Sequence, residues 1–239
     1  SVGFWIYRKG WVWLCVGAAI LNLIMTGIAW SLQDNPAALS RREGAPRRLL
    51  EWRVLIVSGT LFLYSFGYGG ITSFAALYAE ANGVTPKSVY LTTLALVILV
   101  TRPLAGRLGD RVGYKRVFVP CLVVISVGLA CLAIGSTRAW MIASAAIFGA
   151  GFGTAYPVYV GYVMQGIGTE RRGAAFGAIL AAFDTGIGTG STSMGWLIQH
   201  FGFSTAFGVA AALSALALPY FLTVDLMFRR RTAASVART

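Results

Sequence analysis

One aspartate, Asp184, lies well inside a long apolar run of this 239-residue sequence. About ten residues at 1.5 Å each separate it from the nearer end of that run, which places its carboxylate near the middle of a lipid bilayer. A charge at that depth costs roughly 2.5–3.5 kcal/mol, so it needs a water-filled cavity, a partner or a proton. Asp184 is therefore either a carboxylate that binds and releases protons in turn, or a structural side chain that bonds backbone groups beside Gly186, Gly188 and Gly190.

A second charge and four phenol rings fall at depths where they could face the same interior. Arg102 lies about one and a half turns inside another apolar run, where it either extends to the interface or pairs with an acid that the sequence does not name. The phenol rings, in the middles of two further runs, belong to Tyr64, Tyr68, Tyr156 and Tyr159. Such rings suit a cavity for mixed polar and apolar small molecules, while helix packing or an interfacial position remains equally open.

Seven apolar runs are long enough to cross a bilayer as helices. They cover approximately residues 11–32, 53–79, 88–107, 117–135, 139–165, 174–199 and 203–227. Runs of this length without alternation satisfy their backbone in lipid only as helices, so the predicted fold class is an all-α integral membrane protein with seven transmembrane helices. The predicted parts are residues 1–32, a cytoplasmic linker over 33–52, a six-helix bundle over 53–227 and a basic cytoplasmic tail over 228–239.

The composition excludes a large soluble enzyme domain. Hydrophobic residues make up 57% of the chain and charged residues only 12%, and the latter figure is about half of what a soluble domain carries. The three cysteines have no CxxC spacing, and no phosphate-binding loop, HExxH or GxSxG motif occurs, so we expect no metal, no cofactor and no enzymatic activity.

The basic residues predict which way each helix points. If residues 33–52 are cytoplasmic, sixteen of the twenty Lys and Arg residues fall inside and four fall outside, which is the bias that membrane insertion favours. The N-terminus is then outside and the C-terminus cytoplasmic, in a prokaryotic inner membrane. The basic residues behind the net charge of +12 fall almost entirely between apolar runs. We therefore expect them to lie at the surface of the lipid bilayer and predict no nucleic-acid partner.

The most specific motif follows the third run, in the segment RPLAGRLGDRVGYKRVF, residues 102–118. A glycine, an acidic residue, a turn glycine and basic residues recur there at fixed spacing: Gly106, Asp110, Arg111, Gly113, Lys115 and Arg116. The pattern resembles the G-x-x-x-D-R-x-G-R-[KR] loop signature of the major facilitator superfamily of transporters. Tyr114 departs from it, since the family usually has a basic residue at that position.

The resemblance extends over nearly the whole chain. GAGFGTAYPVY (149–159) is similar to helix 10 of efflux-type members, and ERRGAAFGAILAAFDTGIGTG (170–190) to their loop 10–11 and helix 11. It implies the end of helix 5 through helix 12 of a proton-coupled antiporter for a small molecule, with the loop motif as a conformational gate. Because two such halves rock about a shared site, the missing N-terminal half becomes an implied partner. By pseudo-symmetry, Asp110 would lock against helix 5 of that half.

Two other classes of membrane protein compete with this interpretation. Seven spans with an external N-terminus also fit a receptor, although the loop motif and the long basic linker have no reason there. A channel-like homo-oligomer would need polar residues that recur on one helix face, and no such pattern is evident in the sequence.

Overall fold

A computed structural model describes residues 11–31, 52–165, 167–168 and 171–236. Contacts divide the chain into two units, residues 1–47 and residues 48–239. In the first unit, helix α1 runs over Trp11–Ser31, and large apolar side chains such as Trp13, Leu23 and Trp30 are exposed on it. Most of the predicted linker and the last three residues of the chain lie outside the described residues.

The second unit is a bundle of long helices: α2 (Trp52–Ala81), α3 (Val89–Val112), α4 (Tyr114–Ile134), α5 (Arg138–Gln165) and α6 (Arg172–Val236). These five are long and apolar enough to cross a membrane, whereas α1 contributes a shorter apolar stretch, Cys15–Ile28. The helical fold class is thus confirmed in the described residues. The number of seven transmembrane helices remains a prediction.

Helix α6 reverses its direction at Gly202. Its 65 residues would extend roughly 100 Å as one rod, about three times the bilayer hydrocarbon thickness. Gly202 leaves helical geometry with φ 80° and ψ 172°, a conformation that glycine adopts readily because it has no Cβ. We call the two segments α6a (172–201) and α6b (203–236).

Contacts with α2 fix the direction of each segment. The Ser65 hydroxyl donates to the Phe183 carbonyl (3.0 Å), and further along α2 Ser73 donates to Ser191 (3.1 Å), so α6a runs parallel to α2. In α6b the order is inverted. Phe207 lies against Tyr78, with ring centroids 5.5 Å apart, and the later Tyr220 donates to the carbonyl of Ile56 (2.7 Å) near the start of α2. These registers make α6a and α6b antiparallel.

The remaining helices follow the same alternation. Ser58 near the start of α2 bonds the Tyr159 hydroxyl near the end of α5 (3.1 Å), and Ser144 near the start of α5 donates to the Gly128 carbonyl late in α4 (2.7 Å). Both helix pairs are therefore antiparallel. One end of the bundle, which we call the motif end, holds residues 108–116, the last turn of α5 and Asp225 of α6b.

Glycines allow the backbones of α2 and α6a to touch. A Cβ at Gly190 would lie 2.1 Å from the Phe66 carbonyl oxygen, and one at Gly69 would lie 2.2 Å from that of Ile187. Only glycine fits such an approach between two backbones, which is the usual packing of membrane helices. Gly186 lies in the same contact, where a Cβ would lie 2.6 Å from the Phe62 carbonyl oxygen.

Candidate functional site

Asp184 lies on an exposed polar stripe of α6a. The stripe continues along the helix through Thr185, Gly188, Thr189 and Thr192, all exposed. The threonine hydroxyls are satisfied within the helix, as in the bond from Thr189 to the Thr185 carbonyl (2.7 Å). Among the described residues, the Asp184 carboxylate has neither a hydrogen-bond donor nor a basic group within 4.0 Å. The interpretation of Asp184 as a structural side chain requires a bond to backbone groups, and no such bond is present among the described residues.

Tyr156 links two of the other predicted side chains. Its hydroxyl on α5 interacts electrostatically with the Asp184 carboxylate on α6a and with the Arg102 guanidinium on α3. Arg102 is itself exposed. A carboxylate, a guanidinium and a phenol hydroxyl are groups that can bind a proton or a charged part of a substrate.

An aromatic wall adjoins these polar groups. Tyr156 lies against Phe183 with ring centroids 5.0 Å apart, and Phe152 lies 6.0 Å from the same ring. Tyr68 of α2 stacks on Phe152 at 4.2 Å. Tyr68 and Tyr156 are half-buried, so part of each ring is exposed.

The other two predicted tyrosines lie in the packed interior. Tyr64 and Tyr159 are fully buried. Tyr64 packs edge-on against Phe152, with centroids 5.8 Å apart, and Tyr159 bonds Ser58. This placement corresponds to the helix-packing interpretation that the sequence left open for each of them, and in this conformation neither ring lines an open surface.

The loop motif adopts the tight turn that its glycine permits. Gly113, with φ 99°, is the single residue between α3 and α4. Gly106 is exposed about two turns earlier, where a Cβ would meet nothing within 4 Å. The Asp110 carboxylate accepts a hydrogen bond from the Tyr114 hydroxyl (2.5 Å). Tyr114, the departure from the family signature, thus supplies Asp110 with a partner inside this chain.

The two basic residues that end the motif point in different directions. Lys115 is directed into the bundle and forms an ion pair with Asp225 of α6b, which also accepts a hydrogen bond from the Tyr162 hydroxyl of α5. Arg116, like Arg111, is exposed. One motif residue therefore ties α4 to α6b, while its neighbour remains at the surface.

Sequence reasoning missed Asp225. Its carboxylate is only 3% exposed, although the residue lies near the end of an apolar run, where an acid draws less attention than at mid-span. The signal was available in principle: an acid in YFLTVDLMF at the depth of Lys115, on the same predicted side of the membrane. The described residues contain no group of three or more His, Cys, Asp or Glu side chains that could hold a metal ion.

Alternating membrane-length helices, a glycine-packed seam and a basic loop at one end define a polytopic membrane protein of transporter type. The family model of the Major Facilitator Superfamily matches residues 57–238. The chain therefore belongs to that superfamily, and the receptor alternative is not favoured. It is a multi-pass membrane protein with bacterial relatives.

Curated relatives are named as bacterial MFS-type transporters. The chain is 31% identical over 205 residues to an uncharacterized MFS-type transporter of Pseudomonas aeruginosa (strain UCBPP-PA14), covering 84% of this chain and 51% of that protein. It is 25% identical over 200 residues to the uncharacterized MFS-type transporter YhhS of Escherichia coli (strain K12), covering 83% and 49%. The chain thus spans about half the length of the curated relatives that it matches.

Solved structures share the fold. A peptide transporter of the POT type, in complex with sulfate, superposes with a TM-score of 0.65 at 21% identity, covering 77% of this chain and 43% of that one. An auto-inhibited POT family peptide transporter gives 0.63 at 18% identity, covering 73% and 37%. At these identities the likeness concerns the helical arrangement alone.

Proposed function

We propose that this chain forms the C-terminal half of a proton-coupled efflux transporter that works by alternating access, with Asp184 as the coupling acid. The observation that carries the proposal is the exposed carboxylate of Asp184 on a polar face of α6a, in electrostatic interaction with Tyr156 of α5. Proton relays in membrane proteins use such intramembrane carboxylates, whose charge is too costly to keep without function. The superfamily assignment supplies the transporter framework.

The exposure of Asp184 supports a position at an interface between two halves. A carboxylate facing acyl chains would cost several kcal/mol, so a surface that carries it has to meet water or protein. The stripe of Thr185, Thr189 and Thr192 on the same face extends this polar surface along α6a. A second six-helix half placed against it would enclose a cavity at mid-membrane depth, where transporters of this architecture bind their substrates.

The proton chemistry follows from the surroundings of Asp184. When ionised, the carboxylate attracts positive charge, and the Arg102 guanidinium, which also interacts with Tyr156, is the proposed source of that charge. When protonated, it is neutral and that attraction disappears. A proton taken up on one side of the membrane and released on the other would therefore bias the bundle between two arrangements, as a coupled exchange for substrate requires.

The aromatic wall is the proposed contact surface for the small molecule. Tyr68 and Tyr156 present half-buried rings whose apolar faces and hydroxyls accept mixed substrates. Tyr64 and Tyr159 support the wall from behind through Phe152 and Ser58. The motif end, with Asp110, Lys115 and Arg116, is proposed to act as the cytoplasmic conformational gate.

The test is efflux by the complete transporter, with this chain joined to its N-terminal half, in inverted vesicles with an imposed proton gradient. Ethidium and a panel of sugars and metabolites serve as probes. Asp184→Asn is expected to abolish gradient-driven efflux and to leave the exchange of substrate for substrate, which needs no proton gradient. Asp184→Glu is expected to retain part of the gradient-driven efflux. Glu80→Gln, the same carboxylate-to-amide change at an exposed position near the end of α2, is the matched control. Gradient-driven efflux that is undiminished in Asp184→Asn would remove this residue from the mechanism.

A further inference from the structure

A groove of about 360 Å³ opens between α3 and α4, with α5 as its floor. Its walls and floor include Leu108, Val112, Pro120, Val124, Ala150 and Thr154. The lining is almost wholly apolar, and the one charged residue, Arg116, lies at its motif end. The eight helical steps from Arg116 to Val124 extend about 12 Å along α4, which is most of the roughly 15 Å of hydrocarbon in one leaflet.

The charge at the mouth of the groove is available to a ligand. Successive residues on a helix point about 100° apart, so Lys115 turns inward to Asp225 while Arg116 turns outward to the groove. Asp110, the acid of the same loop, is engaged by Tyr114. Among the described residues no acceptor or acid pairs with the Arg116 guanidinium.

We propose that this groove binds one anionic phospholipid of the adjoining leaflet, with an acyl chain along the groove and its phosphate on Arg116. The apolar lining matches a chain, and a guanidinium at the level of the headgroups matches a phosphate by charge and by hydrogen-bonding geometry. Exposed Arg111 in the same loop adds to the positive field at the mouth. The site does not use the Asp184 surface, although it shares Arg116 with the proposed gate. The experiments below therefore measure lipid binding and not transport.

The primary experiment is native mass spectrometry of the 239-residue chain released from micelles that contain equal amounts of phosphatidylglycerol and phosphatidylcholine. We expect one tightly retained phosphatidylglycerol, and about tenfold weaker retention in Arg116→Gln because a charge-assisted contact is lost. Arg138→Gln is the matched control, since Arg138 is also exposed but begins α5 at the opposite end of the bundle. Equal retention of both lipids by the parent chain, or an equal loss in Arg138→Gln, would overturn the proposal.

A second variant tests the groove without removing charge. Ala150→Leu places a larger side chain on the half-buried floor and is expected to lower retention, whereas Ala143→Leu, at an exposed position of the same helix outside the groove, leaves it unchanged. Thermal melting curves verify that each variant is folded. Loss of retention in Ala143→Leu as large as in Ala150→Leu would contradict a lipid chain in the groove. So would displacement of phosphatidylglycerol by excess inorganic phosphate.

A photocrosslinking experiment identifies the occupant directly. A benzophenone amino acid replaces Val124, half-buried in the groove, in the 239-residue chain expressed in bacterial membranes. Irradiation is expected to yield an adduct with the mass of a phospholipid. An adduct with a second copy of the chain, or with another polypeptide, would show that protein covers the groove and would overturn the proposal.

Discussion

Lys115 and Asp225, 110 residues apart in the sequence, form an ion pair in which the carboxylate is almost fully enclosed and the ammonium group is about one third exposed. The pair joins the start of α4 to the motif end of α6b, and Tyr162 adds a hydrogen bond from α5. The loop signature thus contributes to the cohesion of this half, in addition to any contact that it makes with another half.

Breaking this pair from one side is expected to destabilise the chain strongly. Lys115→Met removes the lysine ammonium from the enclosed Asp225 carboxylate, which keeps its hydrogen bond from Tyr162. Removal of one partner of a buried pair costs about 3–5 kcal/mol. Because the lysine is partly exposed, we expect about 2–3 kcal/mol, which lowers the melting temperature by roughly 5–10 °C. Thermal unfolding of the purified chain in detergent measures it.

The double variant Lys115→Met with Asp225→Asn separates the pair from its environment. It also removes the negative charge of the Asp225 carboxylate, so its melting temperature should be higher than that of Lys115→Met alone. A double variant that melts at or below the single one would show that the two side chains act independently.

The seam between α2 and α6a offers a test in neighbouring glycines of one helix. A Cβ at Gly190 would lie 2.1 Å from the Phe66 carbonyl oxygen, whereas one at Gly188 meets nothing within 4 Å. Gly190→Ala is expected to lose about 3 kcal/mol, because two backbones must separate. Gly188→Ala is expected to be neutral or to gain up to about 1 kcal/mol from helix propensity. Melting temperatures of the two variants, measured side by side, decide the matter, and equal values would contradict the described seam.

Tyr114 predicts a further contrast at the motif end. Its ring lies between Gly109 and Gly161, where a Cβ would fall 2.7 Å and 2.3 Å from ring carbons. Gly161→Ala should therefore destabilise the chain by about 1–3 kcal/mol through overpacking. In the background of Tyr114→Ala the same substitution should cost much less, because the ring is gone.

The control for this contrast is Gly177→Ala, at an exposed helical position with nothing within 4 Å. It should have the same effect in both backgrounds. If Gly161→Ala costs as much without the ring as with it, Tyr114 is not the group that it displaces.

The sequence predicted the helical class, the apolar runs and the glycine turn at Gly113 because these depend on local composition and spacing. The sequence also indicated Arg102, Tyr156 and Asp184 as candidate site residues, because each lies deep in a separate apolar run. It did not indicate that Tyr156 interacts with the other two. That interaction depends on the rotation of α3, α5 and α6a about their axes. That rotation is set by packing, and the nearly uniform apolarity of these helices conceals it.

The same limitation explains why the sequence did not distinguish Tyr64 and Tyr159 from Tyr68 and Tyr156. The sequence around a tyrosine at mid-span does not show whether its ring faces a cavity or a neighbouring helix. In the structure, Phe118 and Phe152 from other helices pack against Tyr64. Asp225 was overlooked for the opposite reason. An acid near the end of a span can reach the membrane surface, so its position alone does not indicate a role. Its ion pair with Lys115 of α4 is visible only in the structure.

The last prediction distinguishes the two interpretations of Asp184 by stability instead of transport. A structural aspartate that bonds a neighbouring helix would cost at least 1 kcal/mol on replacement by asparagine. The carboxylate here is exposed and has no hydrogen-bond donor among the described residues, so Asp184→Asn should change the free energy of unfolding by less than about 0.5 kcal/mol. Ser65→Ala is the positive control in the same melting experiment, because it removes the buried bond to the Phe183 carbonyl and should cost about 1 kcal/mol. If Asp184→Asn melts as low as Ser65→Ala, the aspartate holds the bundle together, and its proposed role as a proton carrier loses its physical basis.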